Sequence, residues 1–335
     1  MKKIVLTLTA LCLMVSCKPT PTEPTTPENV VSGLITEDVT WYADTIYEMA
    51  GKVVVEEGAT LTIQAGTLIK ARDGQGSLST ALIIAQGGKI EAMGTEENPI
   101  IFTSIYDTGD NLDETDMGLW GGIVVLGYSP ISADAVPANI EGVPVNEGWG
   151  LYGGTDSLDN SGIIKYVSIR HAGTLLGDGN ELNGLTLGGV GSGTFINNIE
   201  VVGNLDDGIE CFGGNVTITN ALVWAQGDDA FDIDQAFFGT FDNFISIEGS
   251  DSDHALEIDG GEGNWNAEFE MLDGTLISID GSECHFRDGA IGYVEFAGQA
   301  NTESDSGTSV VVQPLVVGAD ESKFEWTLAY KKGAL

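Results

Sequence analysis

The sequence predicts an all-β solenoid: a single-stranded parallel β-helix with about three short strands per coil. Three observations predict it. Short alternating runs bounded by Gly, Asn and Asp fill the chain after residue 30, and no segment there sustains a 3.6-residue apolar period. The runs recur every 21–25 residues, a period that marks stacked repeats. The leucine-rich consensus is missing and the repeats hold no helix, which leaves the β-helix among solenoids of this period.

Composition bounds the function classes. The chain of 335 residues carries 13 Lys and Arg against 51 Asp and Glu, a formal net charge of −38. So few cations exclude unaided binding to a nucleic-acid backbone and disfavour electrostatic docking to anionic lipid. Hydrophobic residues make up 42 % of the chain, enough for a large core.

The elements follow in chain order. Lys2 and Lys3 precede an apolar stretch, Ile4 to Ser16, too short to span a bilayer as a helix but suited to a signal peptide over residues 1–16. The stretch ends in Met14-Val15-Ser16-Cys17, which resembles a bacterial lipobox. The resemblance implies lipidation of Cys17, a membrane partner reached through that lipid, and a place in the cell envelope, at the outer membrane or surface of a Gram-negative bacterium. Pro19, Pro21, Pro24 and Pro27 follow among Thr and Glu, so residues 17–39 are expected to be an extended tether. Residues 40–335 are then the β-helix domain. Its opening coils align Val53–Ile63 with Leu82–Ala92. Phe324 to Tyr330 reads as a closing strand.

Within the body, one set of runs begins at Asn183, Asp207, Asp229, His254 and Thr275. Their third and fifth residues are apolar: Leu185/Leu187, Ile209/Cys211, Phe231/Ile233, Leu256/Ile258 and Ile277/Ile279. Strand side chains alternate between faces, so these point inward, and Thr186, Glu210, Asp232, Glu257 and Ser278 point out. A second set interleaves with the first and repeats Asn197, Asn220 and Asn243 at intervals of 23, with Asn266 continuing the spacing. Asn tolerates a left-handed backbone at a tight turn. The stacked Asn197, Asn220 and Asn243 resemble the asparagine ladder of right-handed parallel β-helices of the pectin-lyase-like superfamily, and the resemblance implies a right-handed coil. The opening phrases Gly58–Ile63, Pro99–Thr103 and Trp120–Val125 are similar to those of β-helical bacterial surface lipoproteins.

Candidate chemistry lies on the outward face. The carboxylates Glu210, Asp232 and Glu257, with Asp234, Asp259 and Asp280 beside them, would stand about 4.8 Å apart on successive coils and repel one another. Such rows serve solubility and block edge pairing, or they hold Ca²⁺, with Asp232, Glu257 and Asp259 as ligands. The acidic loop with Asp107, Asp110 and Asp113 is a further cation candidate, although it lacks the spacing of an EF-hand. No cofactor is required, and Ca²⁺ is the one considered. The order Asp207, Asp228-Asp229, His254, Arg287 is similar to that of the polygalacturonase family of glycoside hydrolases. The resemblance implies that Asp207, Asp228 and Asp229 act as acid and base, that His254 orients or relays a proton, and that Arg287 holds the sugar. The pattern departs from the family: His254 is not flanked by glycines, and Gly289 stands where a Lys should follow Arg287. His171 and His285 read as surface or turn residues. Phe212, Trp224 and Phe237 are aromatic candidates for sugar stacking, with Trp224 also fitting an inward position.

The expected function is a surface-anchored, monomeric, non-catalytic β-helix that binds glycan or protein ligands on its acidic face, with or without Ca²⁺. The alternatives are a polysaccharide hydrolase or lyase and a ligand-free spacer. Cys211 and Cys284 are expected to be free thiols, because the register separates them by three coils, about 14 Å against the ~7 Å a disulfide tolerates.

Overall fold

The computed structural model describes residues 29–335 except 75, 144, 146, 175–181 and 264. The expected signal peptide, Cys17 and the Pro-rich stretch lie outside the described residues. The chain folds as the expected parallel β-helix: all the strand pairs of the main sheet are parallel, and one two-residue antiparallel pair, Ala138–Asn139 with Leu151–Tyr152, stands apart from it. The domain begins earlier than the expected boundary at 40, because Val30–Ile35 already pairs in parallel with Tyr47–Val55.

Each coil has three faces. The first runs from Val39–Trp41 through Thr60–Ile63 and Lys89–Met93 into the leading halves of the long strands Gly162–Arg170, Phe195–Val202, Thr217–Trp224, Thr240–Ile247 and Phe269–Ile277. The second takes the trailing halves of those strands. The third stacks Ala81–Ile84, Gly122–Leu126, Leu185–Gly188, Ile209–Phe212, Phe231–Asp234, Leu256–Ile258, Ser282–Phe286 and Ala300–Ser304. Inward side chains form one continuous core along the axis. Phe231 meets both Phe241 and Phe244 edge-on at 5.3 and 5.4 Å, and Leu185, Leu187, Ile209, Cys211, Ile233, Leu256 and Ile258 are all buried there.

The first two faces join at one residue per coil whose backbone is left-handed: Tyr166, Asn198, Asn220, Asn243 and Asp273, with φ between 49° and 61°. Asn tolerates this region where most residues with a Cβ do not. The ladder therefore differs from the expected one at both ends. Asn198, not Asn197, occupies the turn in its coil, because Phe195 pairs with Thr217 rather than Ile218. Asn197 still belongs to the network, since its Oδ1 accepts from Asn198 and, at 3.5 Å, from Asn220. Asn243 Nδ2 donates to Asn220 Oδ1 at 2.6 Å. Asn266 lies before the strand, and Asp273 takes the position expected of it.

The outward side of the solenoid is covered twice. Between residues 128 and 153, Ile131, Ile140, Val143 and Tyr152 lie over Ala81, Ile83, Val124, Leu126 and Phe212 on the third face. On the second face Val202, Leu222, Trp224, Ile245 and Ile247 are covered by Phe324, Ala329 and their neighbours. The expected closing strand at the C-terminus is thus a short 3₁₀ turn, Glu321–Phe324, followed by the helix Leu328–Lys332. Thr327 caps that helix by accepting from Tyr330 N at 3.1 Å, and Gly333 ends it with a φ of 80°. All three aromatics considered for sugar stacking are buried, two of them by these covers. Phe212 packs on Tyr152, Trp224 lies outward beneath the C-terminal cap, and Phe237 is in the axial core.

One predicted register slips. Thr275 to Asp280 does not belong to the third face. Thr275 pairs with Ile245 on the second, and Ile279 is fully exposed. The third face resumes at Ser282–Phe286, where Leu256 opposes Cys284 and Ile258 opposes Phe286. Cys284 thus stands one inward column away from Cys211, whose column runs Leu187, Cys211, Ile233, Ile258, Phe286. The separation is still three coils, and both cysteines are buried free thiols.

Candidate functional site

The third face aligns one outward residue per coil. The column reads Thr186, Glu210, Asp232, Glu257, His285, Glu303. Ser278 and Asp280, expected in these rows, belong to the loop region before Ser282 and not to the column. At the corner where the chain enters this face, Asp207, Asp229 and His254 stack on successive coils. Asp207 Oδ1 accepts from Asp229 N at 2.9 Å, and Asp229 Oδ1 accepts from His254 N at 2.9 Å. His254 Nδ1 also lies 2.8 Å from Asp229 Oδ1. Asp207 and Asp229 thus each satisfy a backbone donor of the next coil, whereas the ladder asparagines bond one another through their side chains.

The column is unevenly covered. Thr186 and Glu210 are buried, because the 128–153 cover reaches over the early coils. Glu210 accepts from the buried Asn183 amide. Asp207, Glu210 and Asp232 each bring a carboxylate oxygen within 4.8 Å of the others. The pKa values of all three are held well above the ordinary carboxylate range, first by burial and then by the neighbouring carboxylates. Asp232 Oδ1 and Asn183 Oδ1 are buried without a hydrogen-bond partner among the described residues. Burial and nearby carboxylates push Asp229 up to about 7, and burial does the same for Asp234. Burial pulls the His254 imidazole down, but Asp229, Asp253 and Glu257 together carry it above its usual value.

Further along, the column loses its cover and gains a cation. Arg287 Nε donates to Glu257 Oε1 at 2.9 Å and lies 3.4 Å from Asp259 Oδ1, and its Nη2 bonds Glu257 as well. Glu257 and Asp259, expected as metal ligands beside Asp232, are therefore paired with a guanidinium. The acidic loop behaves differently again. Asp107 accepts from Thr103 Oγ1 at 2.8 Å and Gly109 N at 2.7 Å, and Asp113 accepts from Thr115 N at 3.0 Å. Among the described residues, Asp107, Asp110 and Asp113 form no group of three converging ligand atoms.

The residues of the hydrolase-like pattern do come together, but not as a substrate-facing pair. Asp207 and Asp229 are buried and bonded to backbone N–H groups, while Asp228 is exposed. Asp207 and Asp228 oxygens lie within 4.8 Å of each other, closer than the ~6.5–9.5 Å between the carboxyl groups of an inverting glycosidase.

Of the two histidines expected at surface or turn positions, His171 sits at a bend but is buried, and His285 lies within a strand. His171 is buried at a φ of 62°, with Nδ1 2.7 Å from the Asp116 carbonyl, and burial lowers its pKa. His285 is a strand residue opposite Glu257. The sequence held a signal for it: Cys284 and Phe286 are the inward pair of their coil, but the alternating run at 275–279 masked it.

The family model described as a pectate-lyase like beta helix domain matches residues 33–280. Searches of curated proteins and of solved structures returned no match. With a parallel β-helix of three faces, a left-handed corner residue in successive coils and a family match over most of its length, the chain belongs to the pectate-lyase-like beta helix domain family.

Proposed function

We propose that this chain is a non-catalytic β-helix, held in the cell envelope by a lipid on Cys17, whose acidic third face binds a glycan ligand through Ca²⁺. The observation that carries the reading is the convergence of Asp207, Glu210 and Asp232 within 4.8 Å, with no guanidinium or ammonium bonded to any of them among the described residues. Buried carboxylates so placed take up either protons or a cation. Their oxygens, with the unpartnered Asp232 Oδ1, are the hard donors that Ca²⁺ prefers. A bound Ca²⁺ would supply the open coordination positions that sugar hydroxyls or carboxylates fill. Catalysis is the weaker reading, because Asp207 and Asp228 stand closer together than the carboxyl pair of an inverting glycosidase and Arg287 is paired with Glu257.

The test is calorimetric titration of the chain with Ca²⁺, then a glycan array with and without Ca²⁺, with release of reducing ends followed in parallel. The expected result is saturable Ca²⁺ uptake that Asp232→Asn weakens at least tenfold, Ca²⁺-dependent glycan retention and no product. Uptake unchanged in Asp232→Asn, or steady release of reducing ends, would overturn the reading. Cys17→Ser is expected to abolish partition into detergent. Partition like the parent's would remove the anchor.

A further inference from the structure

A second group on the third face has a different donor chemistry. His254, Glu257 and His285 each offer one ligand atom within 4.8 Å of the others. Their placement is rigid. Glu257 and His285 oppose each other directly on adjacent parallel strands, and His254 sits on the corner leading into the strand of Glu257. The two imidazole rings stand 5.8 Å apart at 50°. His254 has its Nδ1 against Asp229, so its Nε2 lone pair is left for an ion. A carboxylate behind a histidine in this way fixes the tautomer and ring orientation of a metal ligand. Glu257 meets Arg287 through Oε1, which leaves Oε2. A cleft of about 590 Å³, lined by His254, Glu283, Asn301 and Glu303, opens beside the group.

We propose that His254, Glu257 and His285 form a site for a divalent transition ion of the Zn²⁺ class. Two imidazoles and one carboxylate suit Zn²⁺, with bonds of about 2.0–2.2 Å, and disfavour Ca²⁺, which takes oxygen ligands. The small closure needed to bring the three atoms to bonding distance is a matter of side-chain rotation. Three protein ligands leave the fourth position to the cleft, where water or an oxygen or nitrogen donor of a ligand binds. The site is separate from the carboxylate group at Asp207, Glu210 and Asp232, and it stands or falls independently of the Ca²⁺ reading. Arg287 competes with the ion for Glu257.

The mature chain is stripped with chelator and titrated with Zn²⁺ alone, by calorimetry and by imidazole NMR. The chain has three histidines, and the buried His171 serves as an internal control. One ion per chain is expected, shifting the His254 and His285 resonances and leaving His171 unmoved. His285→Gln should weaken uptake more than tenfold, Asp229→Asn by roughly 10–100-fold as an outer partner of a ligand, and Arg287→Gln should strengthen it. The absence of saturable uptake, equal shifts at all three histidines or none, or the same affinity in His285→Gln would overturn the proposal. The NMR readout on the native chain decides the matter even if a variant fails to fold.

Discussion

Asp232 shows what the column does to a single residue. Its neighbours along the column are Glu210 and Glu257, and Asp207 approaches from the corner. Burial first, and then Asp234, Glu257, Asp229 and Asp259, raise its pKa; burial and Asp232 itself do the same for Asp207 and Glu210, while Asp229 and Asp234 reach about 7. In the unfolded chain such carboxyls titrate near 4. Between about pH 4 and 7 the folded state therefore holds more protons than the unfolded one, and stability falls as pH rises through that window. With cations chelated, the chain is expected to melt at a higher temperature at pH 5 than at pH 8, and Asp232→Asn should flatten the difference. A melting temperature that rises from pH 5 to pH 8 would contradict it. None of this shift is visible in the sequence, where Asp232 reads as a solvated outward residue. The cover that buries its surroundings comes from residues 128–153, far away in the chain.

The element that organises the solenoid is the long bent strand, and its hinge is the left-handed ladder residue. Asn220 has a φ of 57° and accepts from Asn243 above while donating to Asn197 below. Asn220→Ala keeps the unfavourable backbone and loses both bonds, so a loss of ~2 kcal/mol is expected. Asn220→Gly frees the backbone and should cost less, an order that thermal melting of the two variants checks. Equal losses would mean that the hinge carries no strain. The ladder was legible because Asn recurs at the period of the coil. Its position in the first of the three coils was not, since Asn197 and Asn198 are adjacent and alternation alone does not say which one turns. Pairing with Thr217 does. The slip at 275–279 has the same origin. A run with apolar residues at both strand positions fits either face, and the paired neighbour decides which.

At the scale of the molecule, the bare coil stack would expose apolar outward residues on two faces, and the chain covers both with its own segments. The C-terminal cap is the more separable cover. Phe324 is fully buried over the patch containing Leu222, Trp224, Ile245 and Ile247, and the helix after it places Ala329 N 3.0 Å from Glu200 Oε1. Glu200, fully buried, also accepts from Ser168 Oγ at 2.6 Å. Phe324→Ala should cost ~3–5 kcal/mol if the cap stays docked. If the cap releases, the uncovered patch will bind an apolar dye such as ANS. Wild-type melting with no dye binding would show that the cap contributes little.

The chain's periodicity by itself determined the β-helix, the inward pairs at Leu185/Leu187 through Leu256/Ile258, the turn-forming asparagines and the free thiols. Each of these follows from local alternation and a repeat of fixed length, and a solenoid is built from contacts between neighbouring repeats. Tertiary structure alone decided which outward residues meet water, because the covering segments 128–153 and 321–332 carry no period and reach coils far from them in sequence. It also decided the chemistry of the third face. His254, Glu257 and His285 span a coil boundary, and only the pairing of Leu256 with Cys284 brings them to one place. A corner carboxylate such as Asp229 looks the same in sequence whether it faces solvent or holds a histidine. Its 2.8 Å contact with His254 Nδ1 exists because the next coil is stacked upon it.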